Sequence, residues 1–132
     1  MNAEQLELLA TAEAAASHSY SPYSKFAVGA AIRWSDGAVN SGTNVENLSY
    51  GLTLCAERSA VVAGVGSGQR KWQEIAIWVA AEQLAYPCGA CLQVLNEFAD
   101  ENCHVILGGK GQEPVLKLLT DFLPNPFTAD LG

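Results

Sequence analysis

The chain has 132 residues, 7 Lys+Arg against 14 Asp+Glu, and a net charge of −7. Hydrophobic residues make up 49% and charged residues only 16%, which excludes disorder and fits one domain over residues 1–132 with a real core. Nucleic acid calls for clustered Lys and Arg, and an anionic membrane surface repels a chain this acidic, so neither is an expected partner.

The first segment reads as a helix from about Asn2 to His18. Asn2 can cap it with Gln5 three residues on, and Leu6, Leu9, Ala10 and Glu13 fall at helical spacing. Ser19 to Ser24, carrying Pro22, breaks it. Phe26 to Trp34 reads as a strand, Asp36-Gly37 as a hairpin turn and Ala38 to Val45 as the returning strand. Cys55 to Ala63 reads as a short apolar helix ended by Gly64 and Gly66. Glu74 to Ala80 is a strand, Cys88 to Ala99 a helix opened just after Pro87, and Cys103 to Leu107 another strand. Val115 to Leu119 reads as a last helical turn or two before the Pro124 and Pro126 tail. Strands alternating with helices imply crossovers, hence an α/β sandwich whose mixed sheet has an antiparallel hairpin and parallel later strands. Trp78 is expected in the sheet core, with Trp34 and Trp72 at edges or interfaces. His18 and His104 are expected to be structural or exposed.

Glu4 and Glu7 stand where a signal peptide needs positive charge, and the longest purely apolar stretch, Ala76 to Ala81, is too short to span a bilayer. A cytoplasmic location is therefore expected. In a reducing compartment four cysteines serve as metal ligands or packed thiols rather than disulfides.

Two fragments carry the chemistry: Leu54-Cys55-Ala56-Glu57-Arg58 and Pro87-Cys88-Gly89-Ala90-Cys91. A Cys-x-x-Cys at a helix start puts two sulfurs on one face, where backbone N–H groups and the helix dipole favour the thiolate. Cys55 opens its own helix. If the two helices lie side by side, three sulfurs converge, and three ligands plus an open position is the pattern of a catalytic zinc site. The alternative is three packed thiols. On a helix Glu57 would point roughly 200° round from Cys55, beside the open position rather than on the ion. Cys-x-Glu followed by Pro-Cys-x-x-Cys is the pattern of zinc nucleobase deaminases, whose Glu carries protons and is not a ligand. Cys103 has no partner at ligand spacing and is expected in packing.

With further blocks, Pro22-Tyr23-Ser24-Lys25-Phe26-Ala27-Val28-Gly29-Ala30-Ala31, Asn44-Val45-Glu46-Asn47 and Leu123-Pro124 followed by Phe127, the chain resembles the small, homotetrameric cytidine deaminases over nearly its whole length. The resemblance implies a three-layer α/β/α sandwich with a mixed five-stranded sheet, one strand more than the elements above. It implies Zn2+ on Cys55, Cys88 and Cys91, and hydrolytic deamination of cytidine and deoxycytidine in pyrimidine salvage. Glu57 would pass a proton from water to ring N3 and help release ammonia. Arg58 would offset thiolate charge. Asn44 and Glu46 would hold the sugar hydroxyls, Phe26 would line the pyrimidine pocket, and the backbone at Ala56 and Pro87 would meet the base edge. Phe127 would enter a neighbouring subunit's site in a homotetramer. A carboxylate at Glu46 disfavours a nucleotide phosphate and so favours a nucleoside.

One position departs from the pattern. Many relatives carry Arg directly after the second Cys of the Cys-Gly-x-Cys block, where this chain has Leu92 followed by Gln93. The missing charge bears on thiolate balance, on subunit packing or on substrate preference. Two other functions compete: deamination of a different aminopyrimidine nucleoside or analogue, and a zinc-stabilised binding module without catalysis. Glu57 and the missing fourth ligand argue against the latter.

Overall fold

A computed structural model describes residues 1–129; the expected domain of 1–132 reaches three residues beyond them. In chain order the elements are α1 (Ala3–Ala16), β1 (Val28–Trp34), β2 (Val39–Thr43), α2 (Ala56–Gly66), β3 (Trp72–Val79), α3 (Gly89–Glu97), β4 (Ala99–Gly109), β5 (Val115–Leu118) and α4 (Leu119–Phe122). The strands form one sheet in the order β2-β1-β3-β4-β5. β1 is antiparallel to both β2 and β3, β3 and β4 are parallel across the α3 crossover, and β5 runs antiparallel to β4.

Strand alternation divides the core into two layers, because successive side chains point to opposite faces. Ala31, Ala76 and Ile106 face α1 and pack with Leu8, Leu9 and Ala12. Ala30, Ile32, Ile75, Ile77, Val105 and Leu107 face the other way, against Ala60 and Val61 of α2 and Leu92 and Leu95 of α3. The result is the expected three-layer sandwich.

α1 begins as read: Asn2 Oδ1 accepts from Gln5 N at 2.8 Å, and Gln5 Oε1 accepts from Asn2 N at 3.0 Å. These reciprocal bonds satisfy donors that a helix start leaves free. α1 lies close on the sheet because a side chain is missing beneath it. A Cβ on Gly29 would come within 1.9 Å of Ala12 O.

Three expectations are corrected. Val115–Leu118 is a strand: it pairs from Leu107↔Val115 to His104↔Leu118 as a short edge, and helix α4 starts only at Leu119. Four residues are too few for periodicity to separate strand from helix. Second, α2 runs through Gly64 and Gly66. It ends at Ser67, where Gln69 N donates to Gly64 O and Gly68 N to Val65 O, with Gly68 at φ +100°. Gly64 instead makes room for a ring, since a Cβ there would lie 2.1 Å from Trp34. Third, Trp34 and Trp72 are fully buried between the sheet and α2–α3, whereas Trp78 on the α1 face is only half-buried. The indoles of Trp34 and Trp72 find partners in Asn40 Oδ1 and Leu95 O, which lets a polar N–H be buried. No helix among the described residues is long and apolar enough to cross a membrane.

Candidate active site

The two helices on the second face present their N-termini to one cavity. Cys55 is the N-cap of α2 and Cys88 the N-cap of α3, and both have extended backbone. Cys91 lies one turn into α3, and its N–H donates to Cys88 Sγ at 3.5 Å, so a sulfur does the work of a capping oxygen. The three Sγ atoms lie within 4.8 Å of one another, and among the described residues no fourth ligand-type side chain joins them. Zinc–sulfur bonds of about 2.3 Å in a tetrahedron put sulfurs about 3.8 Å apart. The cluster therefore fits Zn2+ with little movement, and three donors leave one position for another ligand.

Arg58 Nη2 donates to Cys55 Sγ at 3.4 Å, and its Nε is buried without a partner. Hydrogen bonding with Cys91, and then the donated bond and charge of Arg58, hold the Cys55 thiol down to about 5. The same sharing pushes the Cys91 thiol up. The Arg58 guanidinium is held firmly in its charged form, chiefly by its bond to Cys55.

Glu57 is 6% exposed. Burial, with the negative charge of Cys55 adding to it, pushes its carboxyl up to about 7. The angular argument from a helical wheel does not hold, because Cys55 has extended, non-helical backbone. Cys55, Ala56 and Glu57 line the same cavity in succession.

That cavity, about 190 Å3, is completed by Phe26, Val28, Asn44, Thr53, Ile77, Ala85, Tyr86 and Cys88. Of the residues expected at the substrate, Phe26, Asn44 and Ala56 line it, and Pro87 is buried beside it in sequence. Glu46 lies in an adjoining hollow with Tyr23, Ser24 and Tyr50, and Thr53 borders both spaces. Phe127 stands outside, 78% exposed, with its carbonyl accepting from Gln93 Nε2 at 3.1 Å. Val28, Thr53, Ile77 and Ala85 were not anticipated. Thr53 and Ala85 lie in the segments that lead into the two cysteine N-caps, so nearness in sequence to the ligands was the available signal.

Asn44 and Glu46 are both held from behind. Asn44 Oδ1 accepts from Val28 N at 3.0 Å and from Ser19 Oγ at 2.6 Å, while Nδ2 donates to Phe26 O at 2.7 Å. One amide hydrogen is left. Glu46 Oε1 accepts from Tyr23 N at 3.0 Å and Ser24 N at 3.1 Å, and Oε2 accepts from the Ser24 hydroxyl. The Ser24 hydroxyl leads the bonds that keep this carboxyl below its ordinary range. Part of Oε2 remains open. Asn44 thus keeps one donor in the cavity and Glu46 acceptor capacity in the adjoining hollow, each of a kind that a hydroxyl group meets.

Leu92 is 6% exposed within the apolar cluster, so this position serves packing in the chain itself. Cys103 is buried as expected, its Sγ 3.1 Å from both Trp72 O and Asp100 O, which its one S–H faces. His18 is exposed, and His104 is half-buried 3.9 Å from Glu74.

Residues 2–107 match the cytidine and deoxycytidylate deaminase zinc-binding region. A cytidine deaminase of Halalkalibacterium halodurans is 41% identical over 84% of this chain and 84% of its own length. Among solved structures, cytidine deaminase from Burkholderia pseudomallei is 38% identical with a TM-score of 0.87, covering 96% of this chain and 100% of its own. Cytidine deaminase from Mycobacterium tuberculosis is 39% identical with a TM-score of 0.84, covering 97% and 100%.

Proposed function

Because the chain belongs to the cytidine and deoxycytidylate deaminase family, we propose that it hydrolyses cytidine and deoxycytidine to uridine and deoxyuridine plus ammonia, as in pyrimidine salvage. The observation that carries this reading is a buried carboxyl, Glu57, on the same cavity as three converging sulfurs.

Cys55, Cys88 and Cys91 would hold Zn2+, which supplies Lewis-acid activation of water near neutral pH. The remaining chemistry falls to the chain. Glu57 takes a proton from the attacking water, delivers it to ring N3 as C4 becomes tetrahedral, and helps protonate the leaving amine. A carboxyl near 7 suits a group that must both take and return a proton at neutral pH. Phe26 packs against the pyrimidine, and backbone at Ala56 and Pro87 meets its edge. Asn44 and Glu46 grip a sugar hydroxyl between their remaining donor and acceptor. Arg58 offsets charge on Cys55, and this role is supported by its 3.4 Å contact.

Residues 1–132 act as one domain, in a cytoplasmic enzyme whose four cysteines are all free thiols. It works as a homotetramer in which Phe127 closes a neighbour's site. Two features support the assembly. Phe127 is exposed on its own chain, and Leu48, Tyr50 and Leu52, next to the Glu46 hollow, are each at least 70% exposed. Exposed apolar surface of this kind marks contact sites.

Loss of the cytidine absorbance band on adding zinc-loaded protein tests the activity. A panel of other aminopyrimidine nucleosides ranks its substrates. A zinc-loaded protein that turns over none of them overturns the reading. Mass in solution by light scattering, with Phe127→Ala assayed beside the parent chain, tests the shared site.

A further inference from the structure

Ser19 has no part in the chemistry above, and no motif draws attention to it. It lies half-buried between α1 and β1, with its Oγ 2.6 Å from Asn44 Oδ1. Asn44 is itself 8% exposed. Backbone groups decide which way its amide points. Val28 N–H donates to Oδ1, and Phe26 O accepts from Nδ2. Turning the amide over would set donor against donor and acceptor against acceptor. Those two bonds leave two valences, a lone pair on Oδ1 and a hydrogen on Nδ2. Ser19 takes the lone pair.

The surroundings make this contact a fixed one. Ser21 Oγ lies 3.0 Å from Ser19 Oγ and backs the hydroxyl. Tyr20 N donates to Asn44 O at 3.1 Å, and Glu46 N donates to Tyr20 O at 2.8 Å, so the backbone around Ser19 is tied to both sugar-side residues.

We propose that Ser19 is a positioning residue for the sugar end of the site. Its hydroxyl closes the acceptor side of Asn44, so this amide meets a ligand only as an N–H donor. The ligand must then offer an oxygen there, and its hydroxyl hydrogen is directed to Glu46 rather than divided between two acceptors. Without Ser19, the freed lone pair of Asn44 competes with Glu46 for that hydrogen. The inference rests on the nucleoside reading given above.

The test compares ligands with and without the 2′ and 3′ sugar hydroxyls. Ser19→Ala should raise KM for cytidine and Ki for uridine about fivefold, the scale of one neutral hydrogen bond, with kcat within about twofold. Ki for 2′,3′-dideoxyuridine should stay within about twofold, and Ser19→Thr, which keeps the hydroxyl, should restore the parent values. Equal losses on both uridine ligands would mean a general structural role and overturn the proposal. So would no loss on either, or a Thr variant no better than Ala. If the parent protein fails to deaminate cytidine, the nucleoside reading falls and takes this one with it. An active parent with an indiscriminate Ser19→Ala removes this one alone.

Discussion

On one face of the sheet α1 lies so close that Ala12 O occupies the place of a Gly29 Cβ, and Leu8, Leu9 and Ala12 pack with Ala31, Ala76 and Ile106, with Trp78 alongside. On the other face α2 and α3 stand off on Ile32, Trp34, Trp72 and Ile75, and the space between their first turns holds the cysteines and the cavity. The same strands serve both, Ala31 and Ala76 facing α1 while Ile32 and Ile75 face the helices of the site. Gly29, Ala31 and Ala76 let α1 settle on one side, while Trp34 and Trp72 fill the space beneath α2 and α3 on the other. Stability and chemistry are thereby assigned to opposite surfaces of one sheet, and substitutions should divide the same way.

The largest effect belongs to the open face. Glu57→Gln should keep zinc, measured by atomic absorption, and lose about 10^3-fold or more in kcat by the absorbance assay, within the range general acid–base groups supply. Retained turnover in a zinc-loaded variant would remove Glu57 from the mechanism. On the sealed face Gly29→Val should cost about 3 kcal/mol in urea unfolding, because the added carbons meet helix backbone that cannot move aside. Activity per folded molecule should be preserved. A variant that unfolds normally but is inactive would mean that the two faces are coupled. Arg58→Ala should weaken zinc binding about tenfold by chelator competition, as expected for the loss of a group that bonds a ligand atom. Unchanged zinc affinity and turnover would show that the helix N-termini alone balance the thiolates.

The smallest effect tests the sealed face again. Glu74 accepts from Arg33 Nη1 and Gln5 Nε2, each at 2.7 Å, and so fastens the start of α1 to the sheet. Glu74→Gln should cost about 1 kcal/mol, the scale of a partly exposed charged hydrogen bond, and leave KM and kcat alone. A change in KM would show that the α1 side reaches the cavity.

The three-cysteine cluster was legible because spacing and neighbouring residue types carry it: Cys55 stands beside Glu57 in one fragment, and Cys88 and Cys91 lie one turn apart in the other. The α1 cap was legible for the same reason, since Asn2 and Gln5 make a local bond. Burial of Trp34 and Trp72 was not, because it depends on where α2 and α3 come to rest. Nor was β5, whose identity comes from pairing with β4 rather than from its own four residues. The environment of Glu57 lies between these cases. Its neighbours along the chain suggested a role, but its raised carboxyl comes first from burial, which the sequence does not display, and then from the charge of Cys55. The bonds that hold Asn44 and Glu46 come from the Ser19–Val28 segment, remote in sequence, and no motif announces the Ser19 contact.

Placing Cys55 and Cys88 at the N-caps of two helices also has a topological meaning. Between them the chain completes α2, crosses the sheet as β3 and returns to the same edge of the core. One ion shared by the three sulfurs would close that excursion into a ring, and ring closure removes freedom from the unfolded chain much as a covalent cross-link does. The same atoms that prepare water for reaction would then also fasten the central strand, so a chelator should lower the melting temperature together with the rate.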